Sequence, residues 1–216
     1  MITAPEVVAG VFRRWLGEGL IWLPERGMGF LPITARPYDR AYWEKYERYA
    51  RTDLGRELTR LRVELVRRHA GSAASAIDVG IGCGQFVLAR GANTYGFDIN
   101  PVAVVWLKDR RLWRDPREQS ADALTFWDSI EHIPDPAPLL QNAREWVFAS
   151  LPIVPGDGPP RPEWRHYRPD EHCWYWTRRG FLAWMEAHGF RCVEHNTMES
   201  LAGREDIETF AFRRGG

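Results

Sequence analysis

The sequence predicts an α/β fold: an open, mostly parallel sheet with helices on both faces and a C-terminal antiparallel hairpin. Three observations predict it. Short apolar runs alternate with amphipathic stretches from Thr52 to Ile153. A three-glycine turn, Gly80-Ile81-Gly82-Cys83-Gly84, stands between the first of those apolar runs and a helical stretch. The last two apolar runs, Phe190–Asn196 and Ile207–Arg213, complete the chain as an antiparallel pair.

Taken in order, residues 1–37 read as a short amphipathic helix and an irregular loop. Val7, Val8, Val11, Trp15 and Leu16 share one helical face, and Gly17, Gly19, Pro24, Gly27, Gly29 and Pro32 then break any regular element. From Arg40 to Arg51, Tyr42, Trp43, Tyr46 and Tyr49 form an aromatic stripe at helical spacing. Such a stripe either packs on the main domain or forms a lid over a pocket, and both readings stand at this point. Thr52 and Asp53 are N-cap residues for a helix with Leu54, Leu58, Leu61 and Leu65 facing the core, and Gly71 ends it. Ala76 to Val79 reads as a strand, followed by the glycine turn and a helix to Arg90. Tyr95 to Phe97 reads as a second strand, and Pro101 opens the next helix. Only 20 residues separate Pro101 from Asp122, room for one helix and little more. Ala123 to Trp127 is a buried strand, Pro138 to Trp146 a helix and Val147 to Ile153 a strand. Five prolines in 154–170 make a loop, and Thr177 caps a helix that stops at Gly189.

The length of 216 residues suits one domain with an elaboration. Residues 1–51 are expected to be an N-terminal helical and aromatic lid segment, and 52–216 the main domain with a Pro-rich loop over 154–172. Twenty-nine basic residues balance twenty-nine acidic ones, which argues against a dedicated non-specific nucleic-acid binder. Nucleic acid remains an open partner that the charge does not indicate. Cys83, Cys173 and Cys192 form no C-x-x-C pair, which fits a reducing cytoplasm. No apolar run has the length of a membrane span, and Glu6, Arg13, Arg14 and Glu18 break any signal-peptide pattern. The sequence leaves the oligomeric state open.

The glycine turn and the end of the second strand carry the first chemistry. Gly80, Gly82 and Gly84 let the backbone approach a ligand where a Cβ would clash. Asp98, 14 residues after Gly84, ends the second strand, where a carboxylate can accept both hydroxyls of a ribose. Together they point to an adenosine-containing cofactor. Asp78, inside the strand before the turn, opposes a pyrophosphate there and suits a cationic ligand instead.

Ile77-Asp78-Val79-Gly80-Ile81-Gly82-Cys83-Gly84 resembles the first motif of the class I S-adenosylmethionine-dependent methyltransferases, which have a Rossmann-like fold. Tyr95-Gly96-Phe97-Asp98-Ile99-Asn100-Pro101 resembles their second motif, and Phe126 to Pro136 their fourth-strand motif. The resemblance covers residues 52–213 and implies S-adenosylmethionine as cofactor, held by Asp78, Gly80, Gly82, Gly84, Asp98, Ile99, Trp127 and Asp128. The whole pattern, with Gly203-Arg204-Glu205-Asp206-Ile207, is also similar to methyltransferases found in bacteriophage genomes. The family usually fits a helix, a strand and an adenine-contacting acidic residue over 102–121. This region is shortened, so the resemblance implies a missing or vestigial third strand and carries over no residue for the adenine contact.

Asp128-Ser129-Ile130-Glu131-His132 is the second chemical site. Three polar side chains stand beyond the carboxyl end of a sheet strand, where ligands bind in open α/β folds. The run partly resembles that of two groups of metal-dependent O-methyltransferases, which carry acid-x-x-Glu-His. One of them, which methylates the 3′-terminal ribose of small RNAs, also has a histidine four residues before Trp-Thr-Arg, where His172 stands here. That likeness implies Asp128, Glu131, His132 and His172 as ligands of Mg²⁺ or Mn²⁺. A metal-free site with His132 or His172 as general base, beside Asp128 and Glu131, is the other reading. The expectation is methyl transfer to an oxygen, or to a nitrogen, of a small-molecule or nucleotide-type acceptor. The alternative is a non-catalytic cofactor-binding or regulatory module that keeps the fold.

Overall fold

The computed structural model describes residues 14–16, 19–32 and 38–215. Its elements are β1 (Arg14–Leu16), β2 (Leu20–Leu23), β3 (Met28–Phe30), α1 (Arg40–Ala50), α2 (Asp53–Ala70), β4 (Ala76–Val79), α3 (Gln85–Arg90), β5 (Thr94–Phe97) and α4 (Pro101–Asp109). They continue with β6 (Ala121–Trp127), a 3-10 turn (Ile130–His132), α5 (Ala137–Leu140), β7 (Ala143–Pro152), β8 (Trp174–Trp176), α6 (Arg178–Ala187), β9 (Phe190–Asn196), α7 (Met198–Leu201) and β10 (Ile207–Arg214).

The main sheet has the order β5-β4-β6-β7-β10-β9. Its first four strands run parallel, and β10 pairs antiparallel with both β7 and β9. This is the α/β arrangement the sequence predicts, with the hairpin at the far edge. The third strand is reduced to a single parallel bridge, Gly96 to Trp113, beside β5. The strands that are flanked on both sides are buried over most of their length: Leu124, Phe126, Val147, Phe148, Ala149 and Phe210 are fully buried, with Asp78, Thr125 and Ser150 as buried polar exceptions. Burial of both sheet faces explains why these runs do not alternate in polarity.

Two expectations are corrected. Residues 14–16 and 19–32 are not a helix followed by a loop. They form three strands of a second sheet, β1-β2-β3-β8. Leu20-Ile21-Trp22-Leu23 is buried at every position, which suits a strand covered on both faces. Gly27, at φ +60°, turns the chain into β3 rather than ending regular structure. The portion of the expected helix before Arg14 lies outside the described residues. The second correction concerns the helix expected over 138–146. Only Ala137–Leu140 is helical, and Ala143 already belongs to β7. Strand pairing with β6 overrides the local helical pattern there.

The small sheet positions the functional region. Cys173 donates its N–H to the Glu131 carbonyl at 2.8 Å, and Leu31 donates to the Cys173 carbonyl at 2.8 Å. The chain just before β8 is thereby fixed against the turn that follows β6. On the other side, α1 crosses the glycine turn. Thr52 accepts from Gly55 N–H at 3.0 Å and separates α1 from α2.

Candidate active site

Gly80, Gly82 and Gly84 have φ of +81°, +57° and +78°, which side-chain-bearing residues seldom adopt. The turn is also closely packed. A Cβ on Gly80 would lie 2.7 Å from Ser129 Cβ, and one on Gly84 would lie 2.5 Å from the Trp106 ring. The clefts beside the turn lie on the side facing α1.

Asp98 stands just beyond β5 and accepts from Asn100 N–H at 2.8 Å. Burial pushes its pKa up to about 6, against the backbone N–H groups of Asn100, Ile81, Ile99 and Gly82 that favour the carboxylate. Asp78 is fully buried within β4, and its Oδ1 accepts from Thr125 Oγ1 of β6 at 2.6 Å. Burial pushes its pKa up to about 7, with the Thr125 hydrogen bond and Arg62 opposing.

Two clefts meet above these residues. The first, of about 640 Å³, has Tyr38, Tyr42 and Tyr46 as one wall and Gly80, Asp98 and His132 as the other. Ile99, 64% exposed, offers an apolar face at its rim. The second, of about 1420 Å³, shares Tyr46, Gly80, Gly82, Trp127 and Asp128 with the first and reaches Asp78. Trp127 closes the floor between them, with Phe86 edge-on at 5.3 Å and the Arg62 guanidinium at 5.2 Å from its ring.

Asp128 departs from the expected cluster. It sits at φ +56° and turns toward two arginines. Arg62 donates to its Oδ2 at 3.0 Å, and Arg204 donates to Oδ1 at 2.8 Å and Oδ2 at 2.9 Å. Both arginines also pair with buried Glu199. Two cations beside it hold the Asp128 carboxyl down to about 2, although burial alone would raise it.

Glu131, His132 and His172 do come together, with one ligand-type atom from each lying within 4.8 Å of the others. His132 and His172 stack edge to face, their rings 4.7 Å apart. His132 Nδ1 lies 2.8 Å from the Glu171 carbonyl oxygen. A carbonyl only accepts, so Nδ1 carries the proton and Nε2 presents its lone pair in the neutral ring. That Nε2 is 3.9 Å from Glu131 Oε1. Burial lowers the pKa of His132, and burial together with His132 lowers that of His172 well below the usual range. Glu131 is buried and its Oε2 has no hydrogen-bond partner. Burial, with Asp128 nearby, raises its pKa well above the carboxylate range. A buried carboxyl in this state takes a proton or a cation.

The family model described as "Methyltransferase domain" matches residues 42–195. The chain belongs to this methyltransferase family. Its fold is that of the class I methyltransferases that the motifs resemble. Solved structures share the methyltransferase fold at low identity. Magnesium protoporphyrin IX methyltransferase from Synechocystis PCC 6803, with bound S-adenosylhomocysteine, gives a TM-score of 0.58 at 12% identity, over 82% of this chain and 95% of the other. The 1,6-didemethyltoxoflavin N1-methyltransferase of Burkholderia thailandensis gives 0.53 at 15%, over 95% and 100%. The cyclase SpnF gives 0.55 at 14%, over 86% and 99%. No curated protein matches the sequence.

Against this methyltransferase frame, every expected cofactor residue except Gly84 lines one of the two clefts. Gly84 starts α3 and packs against Trp106. Sequence reasoning missed Arg62, Glu199, Arg204 and Tyr38. Arg62 carries a signal: it falls four residues after buried Leu58 and four before buried Val66, on the inward face of α2. Arg204 is singled out in sequence only within the Gly203–Ile207 run that resembles the phage enzymes, with no role attached.

Proposed function

We propose that the protein transfers a methyl group from S-adenosylmethionine to an oxygen of a small-molecule or nucleotide-type acceptor. One observation carries the reading: Asp98 and His132 open into the same cleft, beneath the glycine turn. A ribose site and a proton-accepting group thus share one cavity.

The residues fit the cofactor. Asp98 would accept from the ribose hydroxyls, beside a glycine turn that packs so closely on Ser129, Tyr46 and Trp106 that no Cβ fits there. Asp78, at the floor of the second cleft, offers a carboxylate to the cationic methionine end. Ile99, exposed at the rim of the first cleft, would offer the adenine an apolar face. When bound, S-adenosylmethionine supplies an electrophilic methyl group on a sulfonium. Tyr38, Tyr42 and Tyr46 of the α1 region act as the lid and exclude water. His132 Nε2 accepts the proton of the acceptor hydroxyl, while the Glu171 carbonyl holds its tautomer. Holding the nucleophile in line with the methyl group supplies much of the rate.

Glu131, His132 and His172 also fit a divalent cation. The unpartnered Glu131 Oε2 supports this, and one carboxylate with two imidazoles suits Mn²⁺ or Fe²⁺ better than Mg²⁺. Such an ion, when bound, lowers the pKa of an acceptor hydroxyl. Asp128 is committed to Arg62 and Arg204, so the set is three residues rather than four. The solved neighbours named for porphyrin and toxoflavin methylation support a small-molecule acceptor.

The test is methyl transfer from labelled S-adenosylmethionine to a panel of hydroxyl and amine acceptors. His132→Ala is expected to lower turnover at least ~100-fold with S-adenosylhomocysteine affinity retained. Unchanged turnover rejects His132 as the proton acceptor. Loss of activity with a chelator, restored by Mn²⁺, selects the metal reading. The reduced third strand favours the non-catalytic alternative, and any measured methyl transfer excludes it.

A further inference from the structure

We propose that the outer part of the second cleft is an anion-binding subsite, formed by Lys45 and Arg48 of α1 with Arg168 of the 154–172 loop, that holds an oxyanion group of the methyl acceptor. This rests on reading the joined clefts as cofactor and acceptor sites.

The charge distribution argues for it. The chain as a whole has no net charge. The second cleft nevertheless has Lys45, Arg48, Arg62, Arg168 and Arg204 in its lining, against only Asp78 and Asp128 among the described residues. Arg62 and Arg204 are already matched by Asp128 and Glu199 at the inner end. Burial keeps much of Asp78 protonated at neutral pH. The outer cations therefore dominate the mouth.

Lys45 and Arg48 are three residues apart and share one face of α1. Glu44 and Glu47 of the same helix do not line the cleft. Lys45 Nζ lies 5.6 Å and 5.7 Å from the Tyr46 and Tyr42 ring centres, at the edge of the tyrosine wall. Arg168 Nη1 pairs with Glu171 at 3.1 Å, and its other donors are uncommitted in that pair. A concave site lined by one sign of charge concentrates counter-charged ligands. Lys45, Arg48 and Arg168 line the second cleft and not the first. An oxyanion at this mouth lets the remainder of the acceptor pass Tyr46 and Trp127 toward His132.

The cofactor's own carboxylate is the other source of an oxyanion here, so the experiment separates the two. Wild type, Lys45→Ala/Arg48→Ala and Arg168→Ala are titrated calorimetrically with inorganic pyrophosphate and, separately, with S-adenosylhomocysteine. All three side chains are exposed, so the fold should survive, and thermal melts check it. The expected result is pyrophosphate binding that weakens at least ~tenfold in the double variant, also weakens in Arg168→Ala, and falls with added salt. S-adenosylhomocysteine affinity should stay within about twofold. Pyrophosphate binding that is absent in wild type, or equal in the variants, overturns the subsite. Loss of S-adenosylhomocysteine affinity in the variants overturns it too, by assigning the cations to the cofactor. Failure of every protein to bind S-adenosylhomocysteine, with pyrophosphate binding intact and sensitive to the substitutions, sinks the cofactor reading alone and supports the anion subsite.

Discussion

Asp78 lies in the middle of β4 with its carboxyl against Thr125, and its pKa is pushed up to about 7. In the free protein this raised value makes the protonated form the stable one. The corresponding stability is complete below about pH 4, the unfolded value. It is lost as pH rises through about 7. A bound cation reverses the preference, because it favours the carboxylate. Cofactor binding should therefore release a proton from Asp78 and tighten with pH. S-adenosylhomocysteine affinity, measured by calorimetry, is expected to rise about tenfold from about pH 6 to about pH 8. Asp78→Asn should remove most of that dependence and leave the smaller part that Asp98, raised to about 6, contributes. Gly80 gives a second residue-scale prediction. Its φ of +81° and the nearby Ser129 leave no place for a methyl group. Gly80→Ala is expected to destabilise the fold by about 1–3 kcal/mol in denaturant melts and to abolish cofactor binding. Arg204 gives a third. Its removal leaves Asp128 and Glu199 with one cation between them in a largely buried cluster. Arg204→Ala should lower stability by about 3 kcal/mol, again read from denaturant melts.

At the scale of elements, the Thr177 hydroxyl both caps α6 and joins it to the turn between β2 and β3. Thr177 Oγ1 accepts from Gly180 N–H at 3.1 Å, capping the helix, and donates to the Gly27 carbonyl at 3.0 Å. Thr177→Ala removes both bonds from a buried position. The expected cost is about 2 kcal/mol, seen as a lower melting temperature with an unchanged far-ultraviolet spectrum. Elements whose signal is local were legible in the sequence. Asn100 and Pro101 announce α4, and Thr177 announces α6, because caps act within one turn. Elements made by distant partners were not. Met28–Phe30 and Trp174–Trp176 are short strands that exist because they pair with each other, although they lie far apart along the chain. Nothing within either segment encodes that pairing. The same holds for Ala143–Trp146, whose helical pattern yields to β6 alongside it.

At the scale of the whole molecule, the parallel half of the sheet carries the cofactor motifs, and the additions around it build the rest of the site. The glycine turn and Asp98 were legible because their spacing along the chain is fixed by the strand–turn–helix geometry. The Glu131, His132 and His172 group was legible only by resemblance, since 40 residues separate His132 from His172. What joins them is the small sheet, through the Cys173 N–H to Glu131 carbonyl bond. The commitment of Asp128 to Arg62 and Arg204 was not legible, because both arginines arrive from elements outside the motif. The central claim is that the cleft over Gly80 and Asp98 binds the adenosyl cofactor. Calorimetric titration of wild type and Asp98→Ala with S-adenosylhomocysteine tests it most directly. The account predicts micromolar binding to wild type and at least tenfold weaker binding to Asp98→Ala, about 1.4 kcal/mol or more. No binding to wild type, or equal affinity in the two proteins, would contradict it.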